Sequence, residues 1–291
     1  MVMLGDNQYG KAQIRLMKVD RDAETHVLHD LNVSVTLSGD LAATHLDGDN
    51  SGVLPTDSQK NTVYAFAREH GIGQIEDFAL RLARHFVDAT PTVSRARVLV
   101  EEHPWQRVTV SGQPTSHSFV QAGAEARTAT VTYDGQGVWV LSGITDLVLL
   151  SSTDSEFTGY LRDPYTTLPE ATDRILCTSV NAQWRHSTPA AEVDWEKSFD
   201  AARTALTEAF ADTYSRSLQQ TLYAMGQRLV DSCDTVSEVR LSLPNRHHFL
   251  VDLAPFGLDN PGQVFHVADR PYGLIEGTVL ADDAVAAPEA W

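Results

Sequence analysis

The chain is poor in cysteine, short of basic residues, and without a long apolar run. Its 291 residues include two cysteines, Cys177 and Cys233. Two thiols so far apart make neither a disulfide framework nor a short CxxC metal pattern, and they read as reduced thiols in a cytoplasmic protein. Lysine and arginine total 22 against 39 acidic residues, a net charge of −17. Nucleic acid and anionic membrane both require a basic footprint, so neither is expected as a partner. A small anion is not excluded. Exposed charges are screened within about 8 Å, so one arginine in a dry pocket outweighs a distant acidic surface. No apolar stretch approaches the roughly 20 residues that span a bilayer. The N-terminal "MVMLGDNQYGKAQIR" has no basic region followed by an apolar one, and "EAW" is not a peroxisomal tripeptide. A cytoplasmic location is the expectation.

Familiar catalytic signatures are missing too. There is no HExxH, no GxSxG, and no glycine-rich phosphate loop at a strand-to-helix turn. The histidines of "HVLH" (26–29) lie three apart in a predicted strand and so face opposite ways. His247 and His248 split across two strand faces in the same manner, and no transition-metal site is expected. Asp47, Asp49, Ser51 and Gly52 match the start of a calcium loop, but its twelfth position is Ser58 where a bidentate carboxylate is required. The stretch reads better as a turn into a helix, with Thr56 or Ser58 as cap and Asp57 against the positive end of the helix dipole.

Hydrophobic residues make up 42% and charged residues 21%, as in ordinary soluble proteins. Residues 12–22 alternate apolar and polar with one imperfection, and 27–37 alternate cleanly. Helices are predicted over 56–69 and 74–88, then strands over 94–103 and 106–112. The second half repeats the order. Strands are predicted at 125–134, 137–152 and 174–186, helices at 194–215 (capped by Asp194) and 217–232, and strands at 238–245, 247–253 and 263–269. A duplicated ββααββ unit follows, 1–136 and 137–291, each an antiparallel sheet with helices on one face: an α+β protein. Long exposed sheet edges predict an obligate oligomer that closes the sheets.

Several stretches together resemble the urate oxidase (uricase) family nearly end to end. They are "YGKAQIRLMKV" (9–19), "GDNSGVLPTDSQKNTVYAFA" (48–67), "FTGYLRDPYTTLPEATDRILCTSV" (157–180), "SLQQTLYAMG" (217–226), "SLPNRHHFLVDL" (242–253) and "PYGLIEGTV" (271–279). The resemblance implies a tandem tunnelling fold, a homotetramer with active sites at subunit interfaces, and oxidation of urate by O2 and water to 5-hydroxyisourate with release of hydrogen peroxide. It implies no metal and no organic cofactor. Residue by residue, it implies that Arg174 and Gln219 bind urate, that Phe157 stacks on the ring, and that Thr56 and Asp57 reach substrate across an interface. Leu218 would contribute its backbone amide, although the family commonly has a smaller β-branched residue there. Asn245 would sit at the oxygen and water position. Lys11, Thr56 and His247 would form a proton relay, and His248 would be structural. A zinc-dependent tunnelling-fold enzyme acting on a pterin or GTP, and a non-catalytic purine-binding or calcium-responsive scaffold, are the alternatives. The first needs convergent His/Cys ligands; the second has no use for Lys11, Thr56 and His247 together.

Overall fold

The computed structural model describes residues 2–187 and 190–291. The chain forms two compact units. The first comprises Met1–Gly143, Arg185–Lys197 and Val285–Trp291; the second comprises Ile144–Trp184 and Ser198–Ala284.

In the first unit β1 (Tyr9–Asp20), β2 (Val27–Gly39), a short α1 (Ala42–Leu46), α2 (Thr56–Glu69), α3 (Ile75–Ala89), β3 (Val93–Glu102), β4 (Trp105–Val110), β5 (Gln113–Gln121) and β6 (Ala126–Tyr133) follow in order. The sheet order is β1-β2-β3-β6, all antiparallel. β4 and β5 pair with each other as a separate ribbon. The second unit repeats the plan. β7 (Val138–Ser151), β8 (Leu176–His186), α4 (Trp195–Asp212), α5 (Leu218–Ser232), β9 (Val236–Pro244), the β10–β11 ribbon (His247–Leu250, Phe265–Ala268) and β12 (Leu274–Leu280) follow, with sheet order β7-β8-β9-β12.

The alternation predicts segments 106–112 and 247–253 as the fourth sheet strands, and this is corrected. Both belong to ribbons inserted between the third and fourth strands. Their side chains explain why: β4 and β10 contain no fully buried residue, whereas β6 is buried along most of its length. β5 is too polar to show an apolar period, and β12 carries its apolar residues in pairs at its two ends, so neither alternates; a short α1 precedes the turn into α2. Asp194 caps α4 as expected, accepting from the Lys197 amide at 3.2 Å.

Each unit buries its own core between sheet and helices. In the first, Ile75, Phe78, Leu82 and Phe86 recur at three- and four-residue spacing on α3, and all are fully buried against Val33, Val35, Val98 and Val131. In the second, Leu218, Leu222, Met225 and Leu229 of α5 meet Val180, Val239 and Leu243. Truncating one such side chain to alanine costs about 2–5 kcal/mol.

A buried polar network closes the first unit. The Ser142 hydroxyl donates to Glu76 Oε1 at 2.7 Å and lies 3.2 Å from His186 Nε2. Arg127 donates to Glu76 Oε2 at 2.8 Å and to the Trp195 carbonyl at 3.3 Å, and the Trp195 indole donates to Asp77 at 2.9 Å. His186 meets the Trp195 ring edge-on at 5.1 Å. His186 and Trp195 are thereby tied to α3, β6 and Ser142. The last residues return as well: Arg97 donates to the carbonyls of Ala290 (3.2 Å) and Trp291 (2.7 Å), and Arg95 to that of Glu289 (2.6 Å). No helix among the described residues is long and apolar enough to cross a membrane.

Burial pushes Glu76 up against the pull of Arg127, and it pushes His186 down from 6.5 to about 4. An unfolded His186 takes a proton near 6.5, whereas the folded one does not until about 4. The unfolded state therefore binds more protons in that window, and stability is lost as pH falls through it. The full effect is on the order of 3 kcal/mol. Melting temperature measured against pH should fall less between 6.5 and 4 for His186→Gln than for the parent.

Candidate functional site

The site residues expected from the sequence fall into two groups, one on each unit. In the first unit, Lys11 lies on β1, half-buried, and Thr56 and Asp57 open α2. The approach to α2 is held from β1: the Tyr9 hydroxyl donates to the Leu54 carbonyl (3.1 Å) and accepts from the Leu54 amide (3.0 Å). The buried Gln59 side chain also donates to that carbonyl at 3.3 Å. The Thr92 hydroxyl fixes the Gly52 carbonyl at 2.6 Å.

The capping expectation is corrected. Pro55 is the N-cap residue of α2, no side chain caps the helix, and Thr56 is the first helical residue. Proline cannot accept from orphan amides through a side chain, so the first turn of α2 keeps free donors. Asp57 is exposed and turned onto its own helix, with Lys60 Nζ at 2.5 Å and Asn61 Nδ2 at 3.1 Å. Lys60 chiefly holds its carboxyl below the usual range, and the Lys11 charge adds to this. Lys11 therefore lies within electrostatic reach of the α2 start. The calcium reading gains nothing: the Asp49 carboxylate accepts from the Ser51 amide at 2.9 Å, and no cluster of three or more His, Cys, Asp or Glu suited to a metal occurs among the described residues.

The second unit carries Phe157, Arg174, Leu218, Gln219, Asn245 and His247. Phe157 exchanges backbone hydrogen bonds with Ala171 at 2.8 and 3.1 Å, which closes the loop between them. The Arg174 guanidinium lies 5.3 Å from the Phe157 ring centre, and its Nε donates to Ser155 Oγ at 3.3 Å. Tyr160 stacks on Phe157 at 4.8 Å and 15°. Arg174 is half-buried, burial pushes its pKa down, and no carboxylate pairs with it among the described residues. His247, half-buried on β10, is shifted below the usual imidazole range by burial and then by the Arg174 and His248 charges. Its position follows from the end of β9: the Arg246 amide donates to the Cys177 carbonyl and the Asn245 amide to that of Gly273, both at 2.8 Å. Asn245 is thus pinned beside β8, opposite Thr178, four residues along the chain from Arg174.

Gln219 is exposed in the first turn of α5, while the Leu218 side chain is buried in the core. Leu218 therefore presents only backbone at this helix start. Here a cap does form: Ser217 Oγ accepts from the Gln220 amide at 3.2 Å, and Gln220 Oε1 accepts from the Arg216 amide at 2.8 Å. Ser155 and Ser215 join the helix start to the Phe157 loop through a parallel bridge. Both hydroxyls are buried, and Ser215 accepts from Thr221 at 2.8 Å.

Sequence reasoning missed Ser155, Tyr9 and Tyr160, which hold the expected residues in place. Ser155 and Tyr9 lie two residues before Phe157 and Lys11, the same-face spacing of an extended chain, and that spacing is the available signal. Cavities of about 1130 and 720 Å³ on the first unit contain none of the expected site residues.

A sequence profile described as Uricase matches residues 7–132 and 140–276. A uricase of Arthrobacter globiformis is 47% identical over 290 residues, covering 100% of this chain and 94% of its own. A uricase of Dictyostelium discoideum is 38% identical over 283 residues, covering 96% of this chain and 98% of its own. The crystal structure of the Arthrobacter globiformis uricase superposes with a TM-score of 0.92 at 47% identity, over 99% of this chain and 98% of that one. A Bacillus fastidious uricase superposes at 0.78 with 26% identity, over 96% and 94% of the two chains.

The two helix starts should respond differently to mutation. Ser217→Ala should lower stability by about 1 kcal/mol, whereas Thr56→Ala, which removes no cap bond, should change it by less than about 0.5 kcal/mol. Thermal melts of the two variants check this.

Proposed function

Because this chain belongs to the uricase family and is therefore a urate oxidase, we propose that it oxidises urate with O2 and water to 5-hydroxyisourate, releasing hydrogen peroxide, with no metal or organic cofactor. One observation carries the assignment of the site: a half-buried guanidinium, unpaired by any described carboxylate, held over an aromatic ring. That combination suits a flat anion, which supplies both the missing negative charge and the stacking partner.

Urate lies against the Phe157 ring, within reach of Arg174. Ser155 occupies the Arg174 Nε, so the terminal nitrogens present a two-point fork to the anionic edge. Gln219 offers a donor and an acceptor side by side to the purine edge. The Leu218 amide, at the start of α5, adds a donor at a helix N-terminus, where negative charge is favoured. Asn245 holds O2 and then the attacking water over the ring.

Burial, and then the Arg174 charge, disfavour the His247 cation. A neutral imidazole can accept a proton at one nitrogen and release one at the other. It works with Thr56 and Lys11 as a relay that strips urate of protons. The more fully deprotonated urate is electron-rich enough to reduce O2 itself: two electrons and two protons leave as peroxide, and water adds to the oxidised ring carbon.

The two residue groups sit on different units, and we infer that each complete site joins the Thr56 side of one subunit to the Arg174 side of another in a homotetramer. Exposed Met17, Val27, Leu161, Tyr165, Phe249 and Val267 supply apolar surface for such contacts. No nucleic acid or membrane partner is proposed.

Two experiments test this. Purified protein given urate and O2 with a strong chelator should consume urate and release peroxide, and folded tetramer that does neither would overturn the assignment. Thr56→Ala and Arg174→Ala proteins, each nearly inactive, should regain activity when unfolded and reassembled together. About a quarter of sites then carry both native residues if the site is shared. No recovery would place each site within one chain.

A further inference from the structure

The alternation of β1 breaks between Lys11 and Ile14. Lys11 is opposite Val35 and Ile14 opposite Val33, so three steps on β1 run against two on β2. Residues directly opposite in a sheet share a face. Val33 and Val35 are both buried in the core of the first unit, so Lys11 and Ile14 both face the helices. Tyr9 agrees, since its hydroxyl reaches Leu54 on the helix side. In an unbroken strand, residues three apart face opposite ways. A regular β1 that kept Ile14 in the core would turn Tyr9 and Lys11 to the other face.

Gln13 makes the break. Its φ is 60°, in the left-handed region that only glycine enters cheaply. The conformation is held from β2: the Gln13 amide donates to Ser34 Oγ at 3.1 Å, and Gln13 Oε1 accepts from Asn32 Nδ2 at 2.5 Å. Asn32 in turn donates to Glu101 on β3 at 2.8 Å.

The second unit repeats the device. Asp146 on β7 has φ 56°. Its amide donates to Asn181 Oδ1 at 3.2 Å, and its carboxylate accepts from Ser179 Oγ at 3.3 Å, both from β8. Ile144 and Leu147, three apart, are both buried in the core of that unit. The bulge is therefore a property of the repeated unit. Where the second unit uses it to bury Ile144, the first has Lys11.

We propose that Gln13 is a positioning residue for the reaction: its bulge turns Lys11 to the helix face, toward Thr56 at the start of α2. This rests on the role proposed for Lys11 in urate oxidation, and that role is tested separately by Lys11→Ala alone. Bulges are common beside active sites, where they re-aim a side chain.

The test is a double-mutant cycle on kcat and KM for urate. Gln13→Gly accepts the backbone conformation and should keep kcat within about threefold. Gln13→Val opposes it and should lower kcat by roughly a hundredfold, with KM changed by less than about threefold. Lys11→Ala should cost much in the parent and little more in the Gln13→Val background, because the lysine is already displaced. If Gln13→Val does not fold, Ser34→Ala replaces it in the cycle, with a smaller loss and the same non-additivity. Losses that multiply, or a Gln13→Val protein with native kcat, would overturn the proposal. If Lys11→Ala itself leaves kcat unchanged, the relay assignment fails instead.

Discussion

A guanidinium removed from bulk water normally brings a carboxylate with it. Among the described residues Arg174 does not: its neighbours are a serine hydroxyl, an aromatic face and an imidazole. The surrounding chain carries a net charge of −17, so counter-charge is not scarce. The arrangement leaves the arginine's charge unsatisfied at one place and makes that place selective for an anion. It also bears on His247, whose cation is disfavoured first by burial and then by the same charge. In the proposed reaction one electrostatic choice would set both substrate binding and proton handling, and much of the second unit is arranged around it. Ser155 fixes the guanidinium, the Ser155–Ser215 bridge attaches the α5 start, and the Asn245 and Arg246 amides pin the strand end that carries His247.

Support of this kind comes from rigid elements. A site displaced by an ångström loses much of its rate, so the groups behind the reactive ones matter as much as the reactive ones. In the first unit the corresponding work is done by backbone geometry. Tyr9 anchors the loop into α2, and the Gln13 bulge decides which way the strand's side chains point.

Much of this was legible in the sequence. Strand alternation and helix periodicity located most elements, and the duplicated order exposed the repeat, because burial on one face leaves a period that can be counted. The ribbons were misplaced because a short half-exposed strand has the same local pattern wherever it pairs. Partner choice is long-range, and β6 and β12 took the sheet positions instead. The α2 cap was misread because Thr56 and Ser58 are good capping residues, yet the chain enters the helix one residue earlier, through Pro55. The imperfection in β1 was visible as a break in alternation; its cause, a left-handed Gln13 held by Ser34 and Asn32, lies in contacts with another strand that no local pattern records. The site residues were reached by resemblance to a family. Spacing alone placed them no closer than two separate halves of the chain.

The return of residues 285–291 to Arg95 and Arg97 has a consequence for biosynthesis. A ribosome emits chain at about 5–20 residues per second, and the first domain to emerge usually folds first. Here the earliest unit waits for material made much later: His186 and Trp195 complete its buried network, and Trp291, on Arg97, lies 194 positions downstream of it. For much of translation the first sheet must exist without those pieces, its guanidiniums bare and its Glu76 pocket short of Trp195 and His186. The first unit therefore reaches its complete set of contacts only after the residues around Trp291 have been made.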